Sequence, residues 1–225
     1  MADHRFTGFP PEAFAFYDAL AANNTRPWWQ EHRGEYEASV RAPMTALVEE
    51  LSEEFSAEAG GKVYRPYRDS RFSRNKTPIK DHQGAVIMVE DAIGYYVQVS
   101  AAGLMVAGGW YAPQGQQIVR FREAVGSGHA AHVRGLVHAL EKKGWDVQTR
   151  SLKTRPRGVD AEDPNLDVLR YRCLTAARYL PVDALLGTRR ALTSVRNGWR
   201  AIRPTVEWLA DHVGPATDPA SEPVG

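Results

Sequence analysis

The sequence contains one cysteine, Cys173, so no intrachain disulfide can form, which fits a reducing compartment. Long apolar runs are also missing. None approaches the roughly 20 residues that a membrane-spanning helix requires. The N-terminus carries Asp3, His4 and Arg5 where a signal peptide would have its apolar stretch. Excess charge is absent too: 28 Lys+Arg stand against 27 Asp+Glu, a net charge of +1, which implies neither a nucleic-acid coat nor a membrane-surface protein. The expectation is a soluble cytoplasmic protein with no membrane partner.

Familiar catalytic signatures are scarce. Gly103, Gly108 and Gly109 lack the strand–loop–helix setting and the Lys-Ser/Thr ending of a phosphate loop, so they read as a bulge or a close backbone approach. His129 and His132 are three apart, with no zincin-like Glu between them and no evident third ligand, so no metal is assigned. Ser70 and Ser73 sit in no nucleophile elbow. Cys173 falls on an apolar face and reads as a buried hydrophobe. No cofactor and no reaction can be named from such a pattern, and whether the protein is an enzyme stays open.

The 225 residues are 43% hydrophobic, enough for one large domain or two small ones. Nothing in the middle resembles a linker, so one domain over residues 1–213 is expected. The Pro-, Ala- and Gly-rich end, 214–225, reads as a disordered tail. Pro11, Pro27 and Pro43 are each placed to open a helix. The first carries Phe14, Tyr17, Leu20 and Ala21 on one face; the second carries Trp28, His32, Tyr36 and Val40. In the third, Met44, Leu47, Val48, Leu51 and Phe55 form an i, i+3, i+4, i+7, i+11 stripe. Glu49, Glu50, Glu53 and Glu54 fall mostly off it, as a solvated face would. Strand-like runs follow at 62–68, 85–90, 95–100 and 104–110, joined by short Gly-containing turns that require antiparallel neighbours. Helical stripes return after Pro113, Trp145 to Thr149 alternates like another strand, and Leu166, Leu169, Cys173 and Leu174 suggest a helix. A terminal helix carries Val206, Leu209, Ala210 and Val213. The fold class is therefore α+β: an antiparallel meander sheet with segregated N-terminal and C-terminal helices.

Charge is concentrated in one place. Between Arg65 and Lys80 stand six cations (Arg65, Arg68, Arg71, Arg74, Lys76 and Lys80) and one anion, Asp69. So much like charge at close quarters raises electrostatic self-energy, and a nearly neutral chain keeps it for an anionic partner or a charge network. In an extended segment Arg65, Asp69 and Arg71 share a face with Arg68 opposite, and Asp69 can bridge two guanidinium forks. Asn75, Thr77, Lys76 and Lys80 extend the donor set. The competing reading is a surface charge network, or arginine stems packed over a sheet edge. Asn23, Asn24, Arg26, Trp28 and Trp29 form a second polar-aromatic cluster, either a ligand-stacking surface or a helix end with Asn capping and Trp in the core.

The motif Arg65, Arg68-Asp69, Arg71-Phe72 and Asn75-Lys76 resembles the signature of the domain-of-unknown-function 2461 family of bacteria and fungi. Ile79 stands where that signature has a Tyr, so no role for that phenol carries over. The resemblance extends to Asn23-Asn24, Trp28-Trp29, Gly108-Gly109, the 153–158 loop and Trp208-Leu209. It implies a family identity and a length, and brings no mechanism.

Three functions compete. In the first, Arg65, Arg68, Asp69, Arg71, Asn75, Lys76 and Lys80 hold a small phosphate- or carboxylate-bearing ligand, with Tyr67 or Phe72 against its apolar part. In the second, arginines interleaved with Tyr67 and Phe72 bind RNA or a single strand, against which the near-zero net charge argues. In the third, the segment meets an acidic protein or locks the fold. Oligomeric state leaves no mark in the sequence.

Overall fold

The computed structural model describes residues 5–55, 60–69 and 74–216. Three helices come first, then four strands, then helices interleaved with two further strands. α1 (Pro11–Ala22) opens on Pro11, whose missing N–H is not needed in the first turn, and it buries Ala13, Phe14, Phe16, Tyr17 and Leu20. α2 (Arg26–Tyr36) is capped by Thr25, whose side chain accepts the Trp28 N–H. Its buried residues are Trp29 and Tyr36, so Trp29 enters the core in place of Trp28. Trp28 instead stacks on His32 with ring centroids 4.0 Å apart.

The expected break before Pro43 does not occur. A π turn, Glu37–Arg41, joins α2 directly to α3 (Ala42–Phe55), and the Ala42 N–H reaches back to Glu37 O. A proline inside a helix removes a hydrogen bond and crowds the preceding turn; the wider π turn just before Pro43 gives that ring room. α3 buries Met44, Leu47, Val48, Leu51 and Phe55, the full apolar stripe read from the sequence.

One six-stranded antiparallel sheet follows the helices, in the order β1-β2-β3-β4-β6-β5. Its strands are β1 (Gly61–Val63), β2 (His82–Glu90), β3 (Ile93–Ser100), β4 (Gly103–Trp110), β5 (Asp146–Gln148) and β6 (Leu174–Leu180). Tyr95, Val97 and Val99 are buried along β3 while Tyr96, Gln98 and Ser100 are half-exposed, the alternation of a sheet with one covered face. Helices α4 (Gly115–Ala124), α5 (Ala130–Lys142), the one-turn α6 (Leu166–Leu169) and the long α7 (Arg190–His212) complete the chain. The helix suggested through Cys173 and Leu174 is instead the short α6 followed by a strand. Cys173 is buried and its Sγ lies 3.4 Å from Gln148 O. No helix among the described residues is long and apolar enough to cross a membrane.

Two compact units divide the chain. The first gathers Met1–Ile87, Tyr96–Val106 and Tyr179–Gly198, and the second gathers Met88–Tyr95, Ala107–Arg178 and Trp199–Gly225. In the first unit the acids of α3 do more than face solvent. Glu50 accepts from both terminal nitrogens of Arg189, at 3.0 and 2.7 Å, and from the Phe6 N–H at 2.5 Å, while Arg189 also donates to Phe6 O. Glu54 lies 3.2 Å from Arg196 Nε. The Arg189 hydrogen bonds hold the Glu50 carboxyl below the usual carboxylate range, against the opposing effect of burial.

In the second unit, buried Gln117 organises the core. Its amide oxygen accepts from Trp110 Nε1, and its amide nitrogen donates to Asp91 O and Gly214 O. Ala216 donates to Asp91 Oδ2 and Arg120 to Val213 O and Pro215 O, so residues 214–216 are pinned to this core. The remainder of the expected tail, 217–225, lies outside the described residues. Gly109 has φ +120°, and a Cβ there would stand 2.1 Å from Leu174 O, so glycine is what lets β4 approach β6.

Two outcomes are expected. Glu50 has a depressed folded pKa, so its contribution is present above the unfolded carboxylate value of about 4.3 and is lost as pH falls through the folded value. Glu50→Gln should therefore lower the melting temperature at pH 7 and flatten its fall towards pH 3, by about 1 kcal/mol after discounting for partial exposure. Gly109→Ala should destabilise by about 2 kcal/mol or more in urea titration, through positive-φ strain and the backbone clash.

Candidate anion-binding cleft

Two ties bind α2 to the basic segment. At its start, the Asn24 side chain acts as a strand partner: Nδ2 donates to Ile79 O at 3.0 Å, and Oδ1 accepts the Ile79 N–H at 3.1 Å. Asn24 thus serves the segment, while the capping of α2 falls to Thr25. At the far end, the Tyr36 hydroxyl donates to Gln83 Oε1 at 2.5 Å, and Gln83 Nε2 donates to Tyr64 O and Gly84 O, both at 2.7 Å. Burial pushes the Tyr36 hydroxyl pKa up to about 12, which keeps it a neutral donor at any physiological pH.

The segment itself doubles back. Tyr67 and Ile79 form an antiparallel bridge, with Arg68 N–H donating to Pro78 O and Lys80 N–H to Pro66 O. The intervening turn is shaped by Asn75, whose Oδ1 accepts from the Thr77 N–H and hydroxyl at 3.0 and 2.8 Å. These bonds draw Arg68 and Lys76 towards α2. On α2, Arg26, Trp29, Gln30 and Arg33 share one face by their i, i+3, i+4, i+7 spacing. Between the two lies a cleft of about 600 Å³, lined by Arg26, Trp29, Gln30, Arg33, Tyr67, Arg68, Lys76, Pro78 and Ile79.

Four of those nine residues are cations and none is a carboxylate. Arg68 is the most enclosed cation, its side chain 21% exposed, and its Nη2 lies 3.4 Å from Asp81 Oδ1. Asp81 also accepts from His82 Nδ1 at 2.8 Å. Burial alone would raise the Asp81 pKa, but the His82 hydrogen bond and the charge of Arg68 hold it below its ordinary value. Asp81 is therefore the ionised counter-charge to one end of Arg68. The other end is unsatisfied: Arg68 Nε is buried without a hydrogen-bond partner, and so is Trp29 Nε1 in the same wall. An unmet buried donor costs about 1–3 kcal/mol, which a ligand acceptor can recover.

The other expected ligand residues sit elsewhere. Lys80 turns its ammonium to Arg65 O at 3.2 Å and over the Tyr64 ring at 5.5 Å. Burial, then the charges of Arg65 and Arg68, lower its pKa. Neither Arg65 nor Lys80 lines the cleft. Asp69 is exposed. Ser70, Arg71, Phe72 and Ser73 lie outside the described residues, and with Arg71 goes the expected Asp69 bridge between two forks. Gln30 and Arg33 were not singled out in the sequence, nor was Asp81. In the second unit, Asp160 and Asp163 accept the backbone N–H groups of Glu162 and Asn165 and so close turns of their own loop. More open grooves there are lined by Tyr111, Arg150 and Arg172 and by Arg155, Arg157 and Asp160. Among the described residues neither lining contains a buried donor without a partner.

A family model described as conserved hypothetical protein (DUF2461) matches residues 12–208. The chain belongs to the DUF2461 family. No curated protein matches it. The matched span includes both ties of α2 to the basic segment and every residue lining the cleft.

Asn24→Ala should cost about 1–2 kcal/mol, since it strands the Ile79 N–H and C=O, and Tyr36→Phe about 1–3 kcal/mol, since it strands Gln83 Oε1. Chemical denaturation checks both. Asn24→Ala should in addition loosen the segment that carries Arg68 and Lys76, read as faster amide hydrogen exchange at Ile79.

Proposed function

We propose that this protein binds a small phosphate- or carboxylate-bearing ligand in the cleft between α2 and the returning basic segment. One observation carries the reading: among the described residues, nine line one cleft, four of them are cations and none is a carboxylate, and two of the nine, Trp29 and Arg68, carry a buried donor without a partner. Guanidinium forks match the oxygens of phosphate and carboxylate, and charge-assisted hydrogen bonds of this kind are the strong ones. Arg68 and Lys76 approach from the segment, Arg26 and Arg33 from α2. Asp81 holds Arg68 in place from behind, and Asn75 shapes the turn before Lys76. Arg65 and Lys80 add positive potential beside the cleft. The single buried cysteine suits a reducing compartment, so the ligand is one met in the cytoplasm.

A panel of phosphates, nucleotides and dicarboxylates tests this by thermal shift. At a ligand concentration 100 times Kd the stabilisation is about 2.7 kcal/mol, or roughly 5–10 °C for a chain of this size. Arg68→Ala should weaken binding of the active compound at least tenfold, a loss of about 1.4 kcal/mol, while the variant remains folded. A panel in which no anion shifts the melting temperature contradicts the reading.

A further inference from the structure

The geometry points to a ligand whose anionic group is carried on a flat heteroaromatic ring, as in a nucleoside monophosphate or a heteroaromatic carboxylate; this rests on the reading of the cleft as an anion site. The cations account for only part of the lining. Trp29 and Tyr67 supply an aromatic wall, with ring centroids 6.0 Å apart and planes at 72°. Trp29 is 4% exposed and Tyr67 46% exposed. The backbone of Tyr67 is fixed by its bridge to Ile79, so its exposed ring is presented at the cleft by ordered structure. An inorganic anion has no use for that face, whereas a flat ring can stack on it.

The polar groups of the wall agree. Trp29 Nε1 donates to nothing, and an indole N–H can only donate. A heteroaromatic ring edge carries nitrogen or oxygen acceptors beside the flat face. Gln30, also in the lining, has both a donor and an acceptor to read such an edge. The cleft volume of about 600 Å³ falls in the range of small-molecule sites, and a bare phosphate would leave most of it unfilled. Phosphate and carboxylate share the chemistry that the arginine forks recognise, so the ring, and not the anion, distinguishes this inference.

Isothermal titration of the full chain at fixed ionic strength tests it with seven probes: AMP, UMP, orotate, nicotinate, ribose 5-phosphate, inorganic phosphate and a ten-nucleotide RNA. At least one heteroaromatic anion should bind roughly tenfold or more tightly than ribose 5-phosphate and phosphate. AMP or UMP leading identifies a phosphate ligand, and orotate or nicotinate leading a carboxylate; both support the inference. Tyr67→Leu should bring the ratio of heteroaromatic to non-aromatic probe affinity close to one, and Tyr67→Phe should preserve it, which separates stacking from a folding defect. Ribose 5-phosphate or phosphate binding as tightly as every heteroaromatic probe overturns the inference and leaves the anion site standing. No binding by any probe overturns both. The ten-nucleotide RNA binding more than tenfold tighter than AMP, with a steep loss of affinity in salt, overturns it in favour of a nucleic-acid surface.

Discussion

The candidate site depends on the primary amide of Asn24. Its donor and acceptor take the place of a neighbouring strand and pair with the N–H and C=O of Ile79, a residue 55 positions away. That pair adds to the bridge between Tyr67 and Ile79 in holding the returning limb of the basic segment. With it, the limb is held at the start of α2, and the Tyr36–Gln83–Tyr64 chain holds the other limb at the helix end. The helix face carrying Arg26, Trp29, Gln30 and Arg33 and the segment carrying Arg68 and Lys76 then have to face one cleft. The amide works here because it is neutral and bifunctional. An aspartate in its place would accept from the Ile79 N–H and leave the Ile79 carbonyl facing a second negative group.

Electrostatics runs against the fold at this point. Four cations around one cleft repel each other, and Arg68 is enclosed enough to feel it. Asp81 offsets part of the charge, and its own carboxyl is kept ionised by His82 and Arg68. Elsewhere in the same unit Arg189 is paired more fully, held by both oxygens of Glu50. Arg189 thus has a bidentate carboxylate partner, whereas in the cleft Arg33 lies a looser 3.9 Å from Glu37 and Arg68 3.4 Å from Asp81.

Much of the fold was legible because periodicity reports burial. The stripe of α3 and the alternation of β3 emerged as read, since each is a local consequence of which face is covered. Pro43 misled because a proline opens a helix only where the preceding turn is not already helical, and a π turn made that condition false. β6 escaped notice because Ala176, Ala177 and Arg178 at its centre carry little strand preference; Gly109 opposite Leu174 makes room for it. The basic segment announced itself by charge alone, and the Asn23–Trp29 cluster by its aromatics. Their union did not, because it rests on one side chain pairing with backbone across a long loop, and Gln30 and Arg33 join the site only through that union. Asp69 drew attention by adjacency to the arginines, while the carboxylate that holds Arg68 is Asp81, brought in by the return of the chain.

The most direct measurement is a crystal structure of the protein soaked in phosphate. The account predicts a tetrahedral density within hydrogen-bonding distance of Arg68 and of at least one of Arg26, Arg33 and Lys76, between α2 and the returning segment. Phosphate bound only elsewhere, or a cleft closed by the protein's own carboxylates with Arg68 turned to bulk water, would contradict it.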